Sequence, residues 1–254
     1  MLAFLSTTLV VAPITVGTLY SCPADPIPTI DGILGAIEWK EGVPFTFKLY
    51  NLANQADTMD MEIMALYDND YRIYFGITYL DDKINLGDYL FLIFQDVEGT
   101  AICTPPHNAA GGFNDNHDMK FMWLHNNHSV DQFTKGPGYN WVDDYSNGGV
   151  DNGVGKCHEN GTHITVEMRF PLNSGDALGY DIALAVNGSV NMFVGYHDED
   201  NHKEWNQIRE TDNDYDLIKL QVSCTALSPV PAIYILLGLI VTSVASILYK
   251  KKRK

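Results

Sequence analysis

Two tryptophans set among polar residues are the side chains best placed to do chemistry. Trp141 follows Tyr139 and Asn140, and Trp205 stands between Lys203-Glu204 and Asn206-Gln207. A ring in such company can stack on the apolar face of a sugar while its neighbours pair with hydroxyls. Trp141, Trp205 and Tyr139 are therefore the candidate ligand contacts. A second set consists of oxygen donors that could converge on calcium. These are Asp115 and Asp118 in Asp115-Asn116-His117-Asp118, and Asp198 and Asp200 in Asp198-Glu199-Asp200. The run Asp212 to Asp216 also alternates aspartates, but it lacks the Gly and distal Glu of an EF-hand loop. No Gly-x-Ser-x-Gly, His-Glu-x-x-His, P-loop or dinucleotide fingerprint is present, so the chain reads as noncatalytic.

The elements that must hold these residues read as β-structure. Strands are expected at Phe45–Tyr50, Met59–Tyr67, Arg72–Tyr79, Tyr89–Gln95, Met119–Leu124, Thr162–Phe170, Asp181–Val186, Ser189–Tyr196 and Tyr215–Val222. Asp68-Asn69-Asp70 joins two of them as a hairpin, and Asn187-Gly188 is a second turn signal. Tyr89–Gln95 is continuously apolar, as a strand buried on both faces would be. A helical turn is expected only around Ile33–Lys40. Many short strands separated by turns predict an all-β, antiparallel β-sandwich in one domain, residues 23–226. The long Gly-, Asn- and Asp-rich stretches at 97–118 and 135–160 are the expected functional loops.

Pro28-Thr29-Ile30-Asp31-Gly32, then Glu38-Trp39, resembles the opening of the family 9 carbohydrate-binding modules. Leu66-Tyr67-Asp68-Asn69-Asp70-Tyr71-Arg72-Ile73-Tyr74-Phe75 is similar to the hairpin of the same family. Gly148 to Gly155 and Pro171 to Asp176 resemble the haem-binding domain of the ethylbenzene dehydrogenase gamma-subunit group. All belong to one wider DOMON-like superfamily of sandwiches. The resemblance covers most of 28–222 and implies either sugar binding or haem b. The haem alternative implies axial donors, for which Met119, His202 and Lys203 are the candidates.

The two ends describe a membrane topology. Val230–Tyr249 has no charge over about 20 residues, enough to cross a bilayer as a helix, and Lys250 to Lys254 are all basic. The reading is a signal-like apolar segment at 1–22, a transmembrane helix at 227–249 and a basic cytoplasmic tail at 250–254. The domain between them would face outward at the cell membrane. The net charge is -16, with 16 Lys and Arg against 32 Asp and Glu. Five of the cations lie in the tail, so the rest of the chain is more acidic still and unsuited to nucleic acid. The expected partners are a polysaccharide and the membrane.

Four cysteines allow three pairings. Cys103 and Cys157 lie in loop-like stretches and are the favoured pair; Cys22–Cys224 would tie the ends together if Cys22 survives removal of the leader. Asn127, Asn160 and Asn187 stand in glycosylation sequons.

Overall fold

The computed structural model describes residues 15–95, 102–104, 112–114, 116–135, 140–175, 181–199, 203–209, 214–215 and 217–224. Among them the chain is all-β, with one short 3-10 turn at Tyr145–Asn147. The strands in chain order begin with β1 (Thr15–Pro23), β2 (Phe45–Asn51), β3 (Asn54–Tyr67), β4 (Arg72–Leu80) and β5 (Tyr89–Phe94). β6 (Cys103–Thr104), β7 (Gly112–Phe113), β8 (Asp118–Trp123), β9 (His128–Thr134), β10 (Trp141–Asp143) and β11 (Val154–Glu159) follow. β12 (His163–Pro171), β13 (Ser189–Asp198), β14 (Lys203–Asn206), β15 (Ile208–Arg209), β16 (Asp214–Tyr215) and β17 (Leu217–Gln221) complete the set.

One hydrogen-bonded path runs β10-β9-β8-β5-β13-β14-β2-β3-β4-β12-β11, antiparallel at every step. The path folds back on itself. Phe75 of β4 and Phe170 of β12 share a core with Phe94 of β5, Met122 of β8 and Val194 of β13. Two layers therefore face each other, as in a sandwich. β14 carries the hydrogen bonding from one layer to the other through its pairing with β2. β1 makes a second bridge further along the same seam, pairing parallel with both β17 and β3. These parallel pairings depart from the purely antiparallel expectation.

Period-2 burial explains the layer that ends in β10. Leu90, Leu92 and Phe94 of β5 point into the core between the layers. Ile93, with Tyr89 and Phe91, points to the opposite face and joins Met119, Phe121 and Phe193 of the neighbouring strands. Apolar residues on both faces are what the unbroken run at Tyr89–Gln95 requires.

The Ile-Asp-Gly…Glu-Trp opening is held by a residue far away in sequence. Glu167 of β12 is buried, and its Oε2 accepts the backbone N–H groups of Asp31 and Gly32, each at 2.8 Å. Its Oε1 accepts the Trp39 indole N–H at 2.7 Å. Gly32 has φ of +92°, and a Cβ there would meet the Cys157 backbone at 2.7 Å. Trp39 is buried against Cys22, Leu66 and Tyr74, so it is core. The expected helical turn is a set of turns over 36–41 closed by Trp39 N–H to Gly35 O at 3.0 Å.

Three expectations need correction. Asp181–Val186 is not a strand. Ile182 and Leu184 are buried with strand-like alternation, but their N–H groups go to the Asp118 carboxylate and to Leu172 O rather than to a ladder. The domain also begins before residue 23, because Thr15–Pro23 is β1, with Leu19 and Cys22 buried. Finally, Cys103 and Cys157 do not pair: Cys157 is a free thiol whose Sγ donates to Leu124 O at 3.1 Å. Cys22 and Cys224 are the disulfide-bonded residues, and with Cys157 free they can only be bonded to each other. The β1–β17 register, which sets Tyr20 beside Gln221, brings them together.

Val230–Tyr249 lies outside the described residues, among which no helix is long and apolar enough to cross a membrane.

Candidate functional site

The outward face of the β10-to-β14 layer carries a cleft of about 140 Å³. Its aromatic lining comes from Tyr89 and Phe91 of β5, Trp141 of β10 and Trp205 of β14. His197, Glu204 and Asn206 supply the polar lining. Register explains the convergence: His197 is the cross-strand partner of Tyr89 and also of Glu204. The Tyr89 and His197 rings stack at 4.7 Å with planes 9° apart. Trp141 leans in at 6.3 Å from Tyr89 and 5.8 Å from Phe121. Phe91 lies over Gly195, where a Cβ would meet its ring at 2.1 Å, so only glycine at that position lets the ring lie flat on the sheet.

The polar groups gather at one side of this floor. His197 Nε2 is 2.9 Å from Glu199 Oε2, and its Nδ1 is 4.0 Å from Glu204 Oε1. Burial, together with the Glu204 and Glu199 charges, pushes the Tyr89 hydroxyl pKa up, so it stays protonated as a donor. The cleft thus offers flat ring surface, a neutral phenol, an imidazole, an exposed carboxylate and an amide. It is smaller than the roughly 300–1,000 Å³ that drug-sized ligands occupy. It suits one ring, or the end of a chain.

The candidate residues distribute unevenly. Trp141 is half-buried in the cleft wall. Trp205 is 7 % exposed and belongs to the core as much as to the cleft, so it is floor rather than the exposed platform expected. The Lys203 ammonium sits 5.2 Å over its ring and 2.9 Å from Asp57 Oδ2. Tyr139 lies outside the described residues. Tyr89 and Phe91 were not singled out by sequence because core strands carry them. The available signal was the two-faced apolar run of β5, which implies a second covered face.

Of the axial donors implied for haem, Met119 and Lys203 do not converge. Met119 is fully buried among Ile93, Phe121 and Phe193. Through Ile93 it is in register with Phe193 of β13, whereas Lys203 pairs with Asp198. Three strand spacings and five residues put the two backbones about 14 Å apart across the sheet and about 17 Å apart along it. His202 lies outside the described residues.

Of the calcium set only Asp118 and Asp198 are described, and these two do not lie together. Asp115 and Asp200 lie outside the described residues. Asp118 and Asp198 stand near opposite ends of the layer, since Asp118 aligns through Phe94 with Met192, six residues before Asp198. Asp198 is instead near Asp81 and Asp88, whose pKa values are raised by burial and further by Asp198. Asp118 joins two carboxylates that were not foreseen, Asp131 and Asp181, whose ligand atoms lie within 4.8 Å of one another. The cation among them belongs to the chain itself. Lys120 Nζ is 2.9 Å from Asp118, 2.6 Å from Asp131 and 2.8 Å from Asp181.

The sequons differ in setting. Asn160 and Asn187 are exposed in turns, while Asn127 is half-buried and its Oδ1 accepts the Cys157 N–H at 2.7 Å.

No protein-family model matches the chain, and no curated protein matches it significantly. Among solved structures it is similar to a proposed carbohydrate-binding protein from Bacteroides uniformis ATCC 8492, at TM-score 0.49 and 5% identity. That match covers 83% of this chain and 100% of the other. It is also similar to the cytochrome domain of Myriococcum thermophilum cellobiose dehydrogenase, at TM-score 0.34 and 13% identity, covering 74% of this chain and 92% of that one. Likeness at these scores carries nothing about ligand or chemistry.

Proposed function

We propose that this protein is a membrane-anchored, noncatalytic β-sandwich of the DOMON-like kind, displayed outside the cell, that binds the end of a polysaccharide in the aromatic cleft. The observation that carries the reading is the stacked Tyr89–His197 pair with Trp141 leaning over it, edged by Glu204 and Asn206. A sugar ring presents an apolar face and a rim of hydroxyls, and this cleft presents the complement of both. Its modest volume favours a chain end over an internal segment. The uncharged stretch Val230–Tyr249 and the basic run after it support the anchor and the outward orientation.

A glycan array probed with the full-length protein in detergent tests the reading. Binding to a subset of glycans is expected, weakened at least tenfold in Trp141→Ala and also in Glu204→Gln. Glu204 is exposed, so its variant tests the site without touching the core. No glycan bound, or binding indifferent to both substitutions, overturns the proposal.

A further inference from the structure

The core beneath the cleft contains a lysine where an apolar residue would be expected. Lys120 is on the inward face of β8, with its side chain 4% exposed. It shares a crevice with Ile73, Phe75, Phe94 and Phe170, and its Nζ lies 5.4 Å over the Phe170 ring. Asp131 on β9 is its direct cross-strand partner and is fully buried. Three carboxylates surround the one ammonium. Were all of them ionised, the cluster would hold two uncompensated negative charges away from water, which is costly. Asp131 Oδ2 accepts no hydrogen bond among the described residues, although it is buried.

We propose that Lys120 and Asp131 condense spontaneously within the folded domain to form an intramolecular isopeptide bond. The geometry supplies what the reaction needs: amine and carboxyl in hydrogen-bond contact at 2.6 Å, a third group able to move protons, and burial away from solvent. Burial pushes the Asp131 pKa up to about 8, and its neighbouring carboxylates add to this against the pull of Lys120. Burial thus favours the neutral, electrophilic form of its carboxyl. Asp118 rises less, to about 6, with burial again the main cause, so it is available as a carboxylate.

The step balances as follows. Burial lowers the Lys120 pKa, but Asp118, Asp131 and Asp181 outweigh it and raise it above the ordinary lysine value, so the ammonium is the resting form and the neutral amine is reached only transiently, when Asp118 takes a proton from it. The neutral amine attacks Asp131 Cγ and the C–N bond forms. The nitrogen then gives up one further proton to the Asp131 hydroxyl, which leaves as water when the C–O bond breaks. An ammonium, a carboxylate and a carboxylic acid become an amide, a carboxylic acid and water, with no oxidant or co-reactant. Asp181, 2.8 Å from Nζ, remains as an acceptor for the amide N–H. The bond would fasten β8 to β9, the strand on which β10 and Trp141 are hung.

The test is intact mass and peptide mapping of the full-length, reduced protein. The chain is expected to weigh one water less than its sequence requires, with the loss located in a branched peptide joining Lys120 to Asp131. Asp131→Asn is expected to lose ammonia in place of water. A full sequence mass, with Lys120 recovered in a linear peptide, overturns the proposal. So does a branch to Asp181, or a water lost from an unbranched peptide such as the one holding Asp31-Gly32. The wild-type measurement decides the matter even if a variant fails to fold.

Discussion

Glu167 is the residue on which the opening turn depends. It satisfies two backbone N–H groups and an indole N–H from a segment about 130 positions away. Glu167→Ala would leave these donors without an acceptor, at a cost of about 3 kcal/mol or more. Chemical denaturation should show a lower midpoint with an unchanged slope. Asp68 plays the same part at the β3–β4 turn. Its Oδ1 accepts the N–H groups of Asp70 and Arg72, and its Oδ2 takes the Tyr74 hydroxyl and Arg72 Nε, both at 2.7 Å. Burial raises the Asp68 pKa, but the bonds from Tyr74 and Arg72 outweigh it and hold it below the ordinary carboxylate value. A depressed folded-state pKa makes a contribution that is present above about pH 3.8 and lost as pH falls through the folded value. Wild-type stability should therefore drop in that acid range. In Asp68→Asn it should start lower at neutral pH and fall less. Asp31-Gly32 and Glu38-Trp39 were visible in the sequence as a motif, but Glu167 was not. Alternation in His163–Phe170 turns Ile164, Val166, Met168 and Phe170 toward the core and Glu167 to the opposite face, and nothing in that stretch says that the opposite face is covered.

At the scale of elements, the legible strands were those whose apolar residues alternate or run unbroken. β3, β4, β5, β8, β12 and β13 are of this kind. β9 was missed because its buried positions include Ser129, Asp131, Gln132 and Thr134, so it reads as a polar loop. β11 and β14 were missed for their charge and their shortness. The cleft was legible only through Trp141 and Trp205, since its remaining rings belong to strands that read as core. β1 was hidden inside an apolar run that resembles a leader. Its pairing with β17 is reinforced by the Cys22–Cys224 bond, which closes a loop of roughly 200 residues and on entropic grounds contributes about 5 kcal/mol. Reduction should lower the denaturation midpoint accordingly. Native alkylation should leave Cys157 largely unmodified, because burial, with help from Glu159, pushes its thiol up to about 11. Rapid native labelling of Cys157 would contradict this environment.

For the whole molecule, the first question is where the mature chain begins. Since Thr15–Pro23 lies in the sheet and Cys22 is in the disulfide, a cleavage that removes a leader has to fall before Thr15. N-terminal sequencing of the mature protein should find β1 intact; a first residue beyond Cys22 would be incompatible with this fold. The position of β1 also bears on how the domain is made. Its partners are β17, which is synthesised nearly last, and the far end of β3. A ribosome delivers Cys22 first and Cys224 some 200 residues later, and Cys103 and Cys157 emerge in between. Oxidation in order of appearance would join the wrong sulfurs, and β1 would wait without its final neighbour while they did so. Correct assembly therefore requires either that Cys22 stay reduced until synthesis is nearly complete or that an early mispaired bond be exchanged. The yield of native protein should then depend on a thiol–disulfide isomerase far more than a single disulfide suggests.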